Sequence, residues 1–296
     1  MKNILNNKHI CVTNTKKFRL KDFKPNYRDG LQDEKTIKEE LEAYKGKISE
    51  LQEKLYAQDR YSVLIVLQAI DGAGKDSCIK HVLSGVNPQG CDVVSFKQPS
   101  KEELDHDYIW RTYKNLPARG KIGVFNRSYY EEVLITKVHK ELIPGQHIPG
   151  IDTVKKIDEK FWKNRYRAIN EMERHLVKNG TIIIKVFLNL SKEEQKNRFL
   201  ERIDNPKKHW KFSYADLQER KLWDKYQGAY EDMIRETSTP YAPWHIVPAD
   251  DQWISRAILG EIILETLQSL DLAYPKLSTE EKKVLMTARE ELMGEG

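Results

Sequence analysis

The chain has 296 residues, 39% of them hydrophobic and 32% charged, with a formal net charge of +5. Such a chain is soluble, highly charged and globular, long enough for one large α/β domain or two ordinary ones. No apolar run approaches a membrane span, the start MKNILNNKHICV lacks a secretory leader's apolar core, and Cys11, Cys78 and Cys91 show no paired or metal spacing. A cytoplasmic protein with reduced thiols and no membrane contact is expected.

Residues 1–30 read as a polar, irregular arm broken by Pro25, Asn26 and Gly30, with Phe18, Leu20 and Phe23 pinning it to the body. Residues 35–58 predict a charged amphipathic helix with the stripe Ile37, Leu41, Ile48, Leu51 and Leu55. The stripe spans too few heptads for a coiled coil, so it is expected to pack on a sheet.

Residues 62–68 are mostly β-branched or apolar, as in a strand buried on both faces. AIDGAGK follows at 69–75 and a helical pattern begins directly after it. Strand, tight turn and helix N-terminus together make an anion site, to which Lys75 adds a full charge. The loop departs from the phosphate-loop pattern G-x-x-x-x-G-K-[ST] in two places. Ala69 replaces the first glycine, and Asp76 stands where a Mg²⁺-binding Ser or Thr normally follows the lysine. Asp71 adds a carboxylate beside Gly72, Ala73 and Gly74. Acidic groups facing a polyanion make sense when a divalent cation lies between them. The bland alternative is a Gly-rich turn capped by Asp71 or Asp76. The strand and helix on either side favour a phosphate loop, though not one of the ordinary ATPase type.

The helix is expected to end near GVNPQG at 85–90, with a second strand at 91–97 and Lys97 at its C-terminal end. Open parallel sheets place ligands there, although a solvated strand end would look the same. Residues 102–115 predict a helix, and 121–125 a third strand running into NRSYYEE at 126–132. In phosphate-loop proteins an acidic residue at this strand end helps hold Mg²⁺, and here the position is Asn126. Arg127 is a donor fork suited to phosphate, Ser128 a helix cap, and Glu131 lies on the first turn beside the strand ends. A Pro/Gly-punctuated loop at 142–151 leads to a predicted helix over 152–179.

Residues 181–188 predict a fourth buried strand. Behind it lies the most basic stretch, with Lys196, Arg198, Arg202, Lys207, Lys208, His209 and Lys211 near Trp210 and Phe212. Arg198 and Arg202 share a helix face. A charge run is usually a solvated face; beside a phosphate loop it reads as a cationic lid. Further helix is expected over 213–236, a short fifth strand at 245–247, an amphipathic helix over 256–270, and a charged tail that docks as a helix or frays. Strands alternating with helices predict α/β architecture: a parallel five-stranded sheet sandwiched by helices. The whole, 1–296, reads as a single mononucleotide-kinase-like domain with an N-terminal helical arm over about 1–60 and a helical lid over about 190–235. By analogy with phosphate-loop kinases, the loop-bearing strand is expected in the middle.

DGAGKD at 71–76, GVNPQG at 85–90, FKQPS at 96–100, FNRSYYEEVL at 125–134 and APW at 242–244 together resemble the polyphosphate kinase 2 family. The resemblance runs from about Phe18 to Leu270. It implies a Mg²⁺-dependent phosphotransferase, with Mn²⁺ as a substitute, that moves phosphoryl groups between inorganic polyphosphate and AMP, ADP or ATP. Guanine nucleotides stay open as substrates. It also implies that Asp71, Lys75 and Arg127 work at the reacting phosphates, with Arg198, Arg202, Lys208 and Lys211 on the lid and a homodimer or homotetramer as the assembly. Asp71 is the expected metal ligand. Gly72, Ala73, Gly74, Asp76 and Lys97 join the phosphate-binding set, and Asn126, Arg127 and Glu131 the nucleotide-binding set.

The chain departs from the family's usual alanine at Gly72 and glycine at Ser77. It also departs at Asn126, where many members carry aspartate. In the family, asparagine here resembles the class that phosphorylates both AMP and ADP. An ATP-dependent nucleotide kinase would use the same fold, but Asp76 in place of Ser or Thr counts against it. A nucleic-acid-binding protein would explain the basic stretch and leave Asp71 unexplained. A non-catalytic nucleotide sensor hardly needs the lid's arginines.

Overall fold

The computed structural model describes residues 3–28, 30 and 33–295. Its centre is a wholly parallel sheet of five strands: β1 (Ser62–Ala69), β2 (Cys91–Ser95), β3 (Ile122–Asn126), β4 (Thr181–Asn189) and β5 (Trp244–Pro248). The order is β2-β3-β1-β4-β5, so the loop-bearing strand is central, as expected. Every residue of β1 is buried, which its unbroken apolar run demands. The register pairs Leu67 with Asn126 and Ala69 with Leu188, bringing the C-terminal ends of β1, β3 and β4 to one level.

The helices are α1 (Glu34–Gln58), α2 (Lys75–Val82), α3 (Lys101–Leu104), α4 (Trp110–Tyr113), α5 (Ile135–Val138), α6 (Glu159–Lys178), α7 (Lys192–Asp204), α8 (Tyr214–Lys221), α9 (Trp223–Thr237), α10 (Gln252–Gln268) and α11 (Thr279–Met293). None among the described residues is long and apolar enough to cross a membrane. Residues Ile10–Val12 of the arm run beside β5, with the Val12 N–H donating to Trp244 O at 2.9 Å. Phe18 and Leu20 are buried, as the sequence suggested. Residues 1, 2, 29, 31 and 32 of the arm expected over about 1–60 lie outside the described residues.

Four expectations differ from the structure. The α1 stripe packs mainly on α10, not on the sheet. That is possible because α10 has no exposed face over its middle; it is buried from Ile254 through Leu264, Arg256 and Glu261 included. The helix expected over 102–115 is two short ones, the first started by a capping box between Ser100 and Glu103. The helix expected from 152 begins at Glu159, where the Asp158 side chain accepts from the Phe161 N–H at 2.8 Å. Finally, α9, the last part of the stretch expected as a lid over about 190–235, buries Trp223, Tyr226, Tyr230, Met233 and Ile234 against α6 and α5, while α7, the turn Pro206–Lys211 and α8 contribute residues to the cleft. The tail folds as α11, with no residue buried.

One polar cluster sits inside the core. Lys185, in the middle of β4, and Glu173 of α6 are both fully buried and pair at 2.6 Å. Tyr129 and Tyr130 each donate a hydroxyl to Glu173 Oε1, at 2.8 and 2.7 Å. The cluster thereby anchors the segment that follows Asn126-Arg127-Ser128.

Candidate active site

The turn after β1 needs left-handed backbone at Gly72 (φ 88°) and Gly74 (φ 96°), which glycine adopts without strain. It delivers Lys75 to the first position of α2. The Lys75 side chain is buried, and its Nζ donates to Ala69 O at 2.9 Å. Burial pulls its pKa below the usual lysine value, against the opposing pull of Asp71.

Asp71 pairs with Arg127 across the mouth of the turn, NH2 to Oδ1 at 2.7 Å. Burial alone would raise this carboxyl, but Lys75 and Arg127 outweigh it and hold the group below the usual aspartate value. Arg127 has φ 63°, in the left-handed region that a long side chain rarely adopts. Its N–H donates to Leu67 O at 3.0 Å, so the strained residue is fixed to β1. Strain of this kind persists where the surroundings over-determine the backbone, most often at functional sites. Beside it, Asn126 Nδ2 donates to Asp76 Oδ1 at 2.6 Å.

These groups open into a cleft of about 620 Å³ at the C-terminal ends of β1, β2 and β3. Of the residues singled out in the sequence, Asp71, Gly72, Gly74, Lys75, Asp76, Lys97, Asn126, Arg127, Arg202 and Lys211 line it. Four others lie elsewhere. Ala73 is buried beneath the turn. Glu131 takes no part in the lining; burial raises its carboxyl, with Arg127 and Lys75 pulling the other way. Lys208 pairs with Glu201 on the lid. Arg198 is buried and spends its fork on main-chain carbonyls, with NH1 donating to Gly72 O at 3.0 Å and Ala73 O at 3.1 Å. Its NH2 donates to Ala249 O and Asp250 O, so Arg198 shapes the phosphate loop from behind and is not exposed in the cleft.

The fold also brings in residues that sequence reasoning missed. Gln195 Nε2 donates to Asp71 O at 2.8 Å while its Oε1 accepts from Arg220 NH1 at 2.7 Å, tying α7 and α8 to the loop. Trp210 and Asp216 join the lining, and Asp216 accepts from Arg202 NH1 at 3.3 Å. Burial raises the Asp216 carboxyl, and the nearby Asp71 charge adds to the effect. For Gln195 no pattern in the sequence gives a signal. For Lys185 and Glu173 there was one: a lysine inside the apolar run TIIIKVFL requires a buried acid.

A glycine-rich turn, a buried lysine, a left-handed arginine, two aspartates, Arg202 and Lys211 meet at this cleft, a set chemically suited to phosphate groups. Comparison with known proteins gives the family. The family model described as polyphosphate kinase 2 matches residues 31–275. An ADP-polyphosphate phosphotransferase of Rhodopseudomonas palustris is 52% identical over 247 residues, 83% of this chain and 84% of that protein. An AMP/ADP-polyphosphate phosphotransferase of Meiothermus ruber is 44% identical over 271 residues, 91% of this chain and 96% of that protein. The crystal structure of polyphosphate kinase 2 from Arthrobacter aurescens TC1 superposes with a TM-score of 0.83 at 39% identity, covering 92% of this chain and 93% of that one. The chain therefore belongs to the polyphosphate kinase 2 family.

Proposed function

We propose that the cleft transfers phosphoryl groups from inorganic polyphosphate to nucleoside mono- and diphosphates, AMP to ADP and ADP to ATP, reversibly and in line. The observation that carries this reading is that Asp71 and Lys75, after the central strand, and Arg127, after β3, share a cleft with Arg202 and Lys211. The names of the relatives support polyphosphate as donor and AMP and ADP as acceptors.

Lys75 and Arg127 balance charge on the transferring group, and Asp71 holds Arg127 in place. The acceptor's terminal phosphate oxygen bonds to the terminal phosphorus of the polymer as the bridging P–O bond breaks. The shortened polymer keeps that electron pair. The nucleophile is already anionic, so positioning supplies most of the catalysis. Among the described residues no histidine lines the cleft to form a covalent intermediate.

The residues fit a hard divalent cation. Asp71 and Asp76 both line the cleft, and Mg²⁺ is commonly held by one or two carboxylates together with substrate phosphates and water. Asp71 and Asp76 would hold such an ion together with substrate phosphates and water. Mg²⁺ or Mn²⁺ bound there would neutralise phosphate charge.

The test is a donor and acceptor matrix with purified protein and Mg²⁺. Polyphosphate or ATP is offered to AMP and to ADP, with Lys75→Met as the control. ADP and ATP formed from AMP and polyphosphate, with kcat reduced roughly 10²–10³-fold in the variant, is the expected result. Product from ADP alone removes the dual-acceptor role of Asn126. Turnover with ATP as the only working donor moves the chain to the ordinary nucleotide kinases.

A further inference from the structure

Helix α8 reaches the active site at two points. Asp216 lines the cleft and accepts from Arg202 NH1 at 3.3 Å. Arg220, one turn on, donates to Gln195 Oε1 at 2.7 Å, and Gln195 in turn donates to Asp71 O at 2.8 Å. Yet α8 has only eight residues and none of them is buried. A helix this short is marginal by itself, so polar contacts, more than packing, fix its place.

One such contact comes from the residue that ends α5. Glu219 Oε2 accepts from the Tyr226 hydroxyl of α9 at 2.6 Å and faces His139 Nε2 at 2.9 Å. His139 Nδ1 faces Glu141 Oε1 at 3.1 Å. An ionised carboxylate only accepts hydrogen bonds, so each ring nitrogen needs a proton for both contacts to hold, and only the imidazolium has two. Burial pulls the ring's pKa down, but Glu219 and Glu141 outweigh it and hold the ring above the ordinary histidine value of 6.5. The other charges around the ring are already engaged. Lys137 of α5 pairs with Asp232 of α9 at 2.6 Å and donates to the Tyr166 hydroxyl of α6 at 3.0 Å. Glu141 is held below its usual value by its own main-chain N–H, by His139 and by Lys225 of α9. Burial and Glu219 push the Tyr226 phenol up, so it keeps its proton.

We propose that His139, as the imidazolium, is a positioning residue that clamps α8 through Glu219, and so sets the placement of Arg202 and of the loop after β1 for phosphoryl transfer. The inference rests on the polyphosphate reading above and deepens it, by giving the same site a proton-dependent control. A neutral ring keeps one N–H, so loss of the proton gives up one carboxylate and the charge attraction to the other, while Tyr226 still holds Glu219. The result is a several-fold loss of activity and not its abolition. Because the ring's pKa is raised, the clamp holds below that pKa and weakens as pH rises through it.

The experiment measures kcat/KM with polyphosphate and ADP against pH for the wild type, Glu219→Gln and His139→Gln, beside an NMR titration of the His139 ring in substrate-free protein. The wild-type ring titrates above 6.5, and kcat/KM falls several-fold over the same pH range. Glu219→Gln moves both toward acid, which a merely structural histidine would not do. His139→Gln sits at the reduced level at every pH and lacks this limb, while limbs that belong to the substrates stay. If His139→Gln does not fold, Glu219→Gln decides alone. A wild-type ring that titrates at or below 6.5, or an activity limb unmoved by the variants, would overturn the proposal. Failure of the polyphosphate reading is distinct: no form of the protein would then turn over polyphosphate, while the ring's pKa and its shift in Glu219→Gln, which need no substrate, still decide whether the clamp exists.

Discussion

Asn126 Nδ2 donates to Asp76 Oδ1 at 2.6 Å, tying the end of β3 to the first turn of the helix after the phosphate loop. This bond joins the two positions at which the chain departs most from an ordinary nucleotide-binding loop.

Asn126→Asp places two carboxylates at hydrogen-bond distance, where like charges disfavour joint ionisation. Thermal unfolding with EDTA should show a loss on the order of 1–2 kcal/mol, recovered when Mg²⁺ is added. Equal stability with and without Mg²⁺ would show that the pair does not face a cation.

The Asp71–Arg127 pair makes a pH prediction. A carboxyl held below its usual value contributes stability above the unfolded pKa and loses it as pH falls through the folded one. Wild-type stability should therefore fall more steeply than that of Asp71→Asn once pH drops below the ordinary aspartate value of 3.8. Parallel denaturation curves down to acid pH would contradict the pairing.

Arg198→Lys keeps the charge but cannot reach four carbonyls at once. Because Arg198 braces Gly72, Ala73, Ala249 and Asp250, the variant should lose about 1–3 kcal/mol of stability and show a lowered kcat. A rise in polyphosphate KM with unchanged stability would instead make Arg198 a phosphate ligand.

Lys185→Met strands Glu173 in the core, which should cost about 3–5 kcal/mol. Adding Glu173→Gln should restore part of that loss, since the amide still accepts from Tyr129 or Tyr130 and carries no charge. Denaturant midpoints of both single variants and the double one give the coupling. Strict additivity would mean that the pair does not interact.

Much of the fold was legible because it depends on local pattern. The strands buried on both faces, the helix after Gly74 and the cap at Ser128 each follow from residues near one another in the chain. Asp71, Lys75, Asn126 and Arg127 were legible as well, because a sheet end brings consecutive residues to one place. The α1–α10 packing was not, since an amphipathic stripe records that a face is covered and not what covers it.

The sequence by itself determined a parallel α/β chain with a glycine-rich loop that carries Asp76 where Ser or Thr usually follows the lysine and Asp71 as an added carboxylate, and the set of cations near it. Only the tertiary structure decided which cations face the cleft. Arg198 and Arg202 are one helical turn apart on α7, yet one braces the loop from behind while the other lines the cleft. Helix periodicity gives them the same face. Their different roles come from what packs there: four main-chain carbonyls from two distant loops meet at Arg198, and open cleft lies beside Arg202. Contacts between segments far apart in the chain leave no local pattern to read, and here they separate a charge that braces the loop from one that lines the cleft.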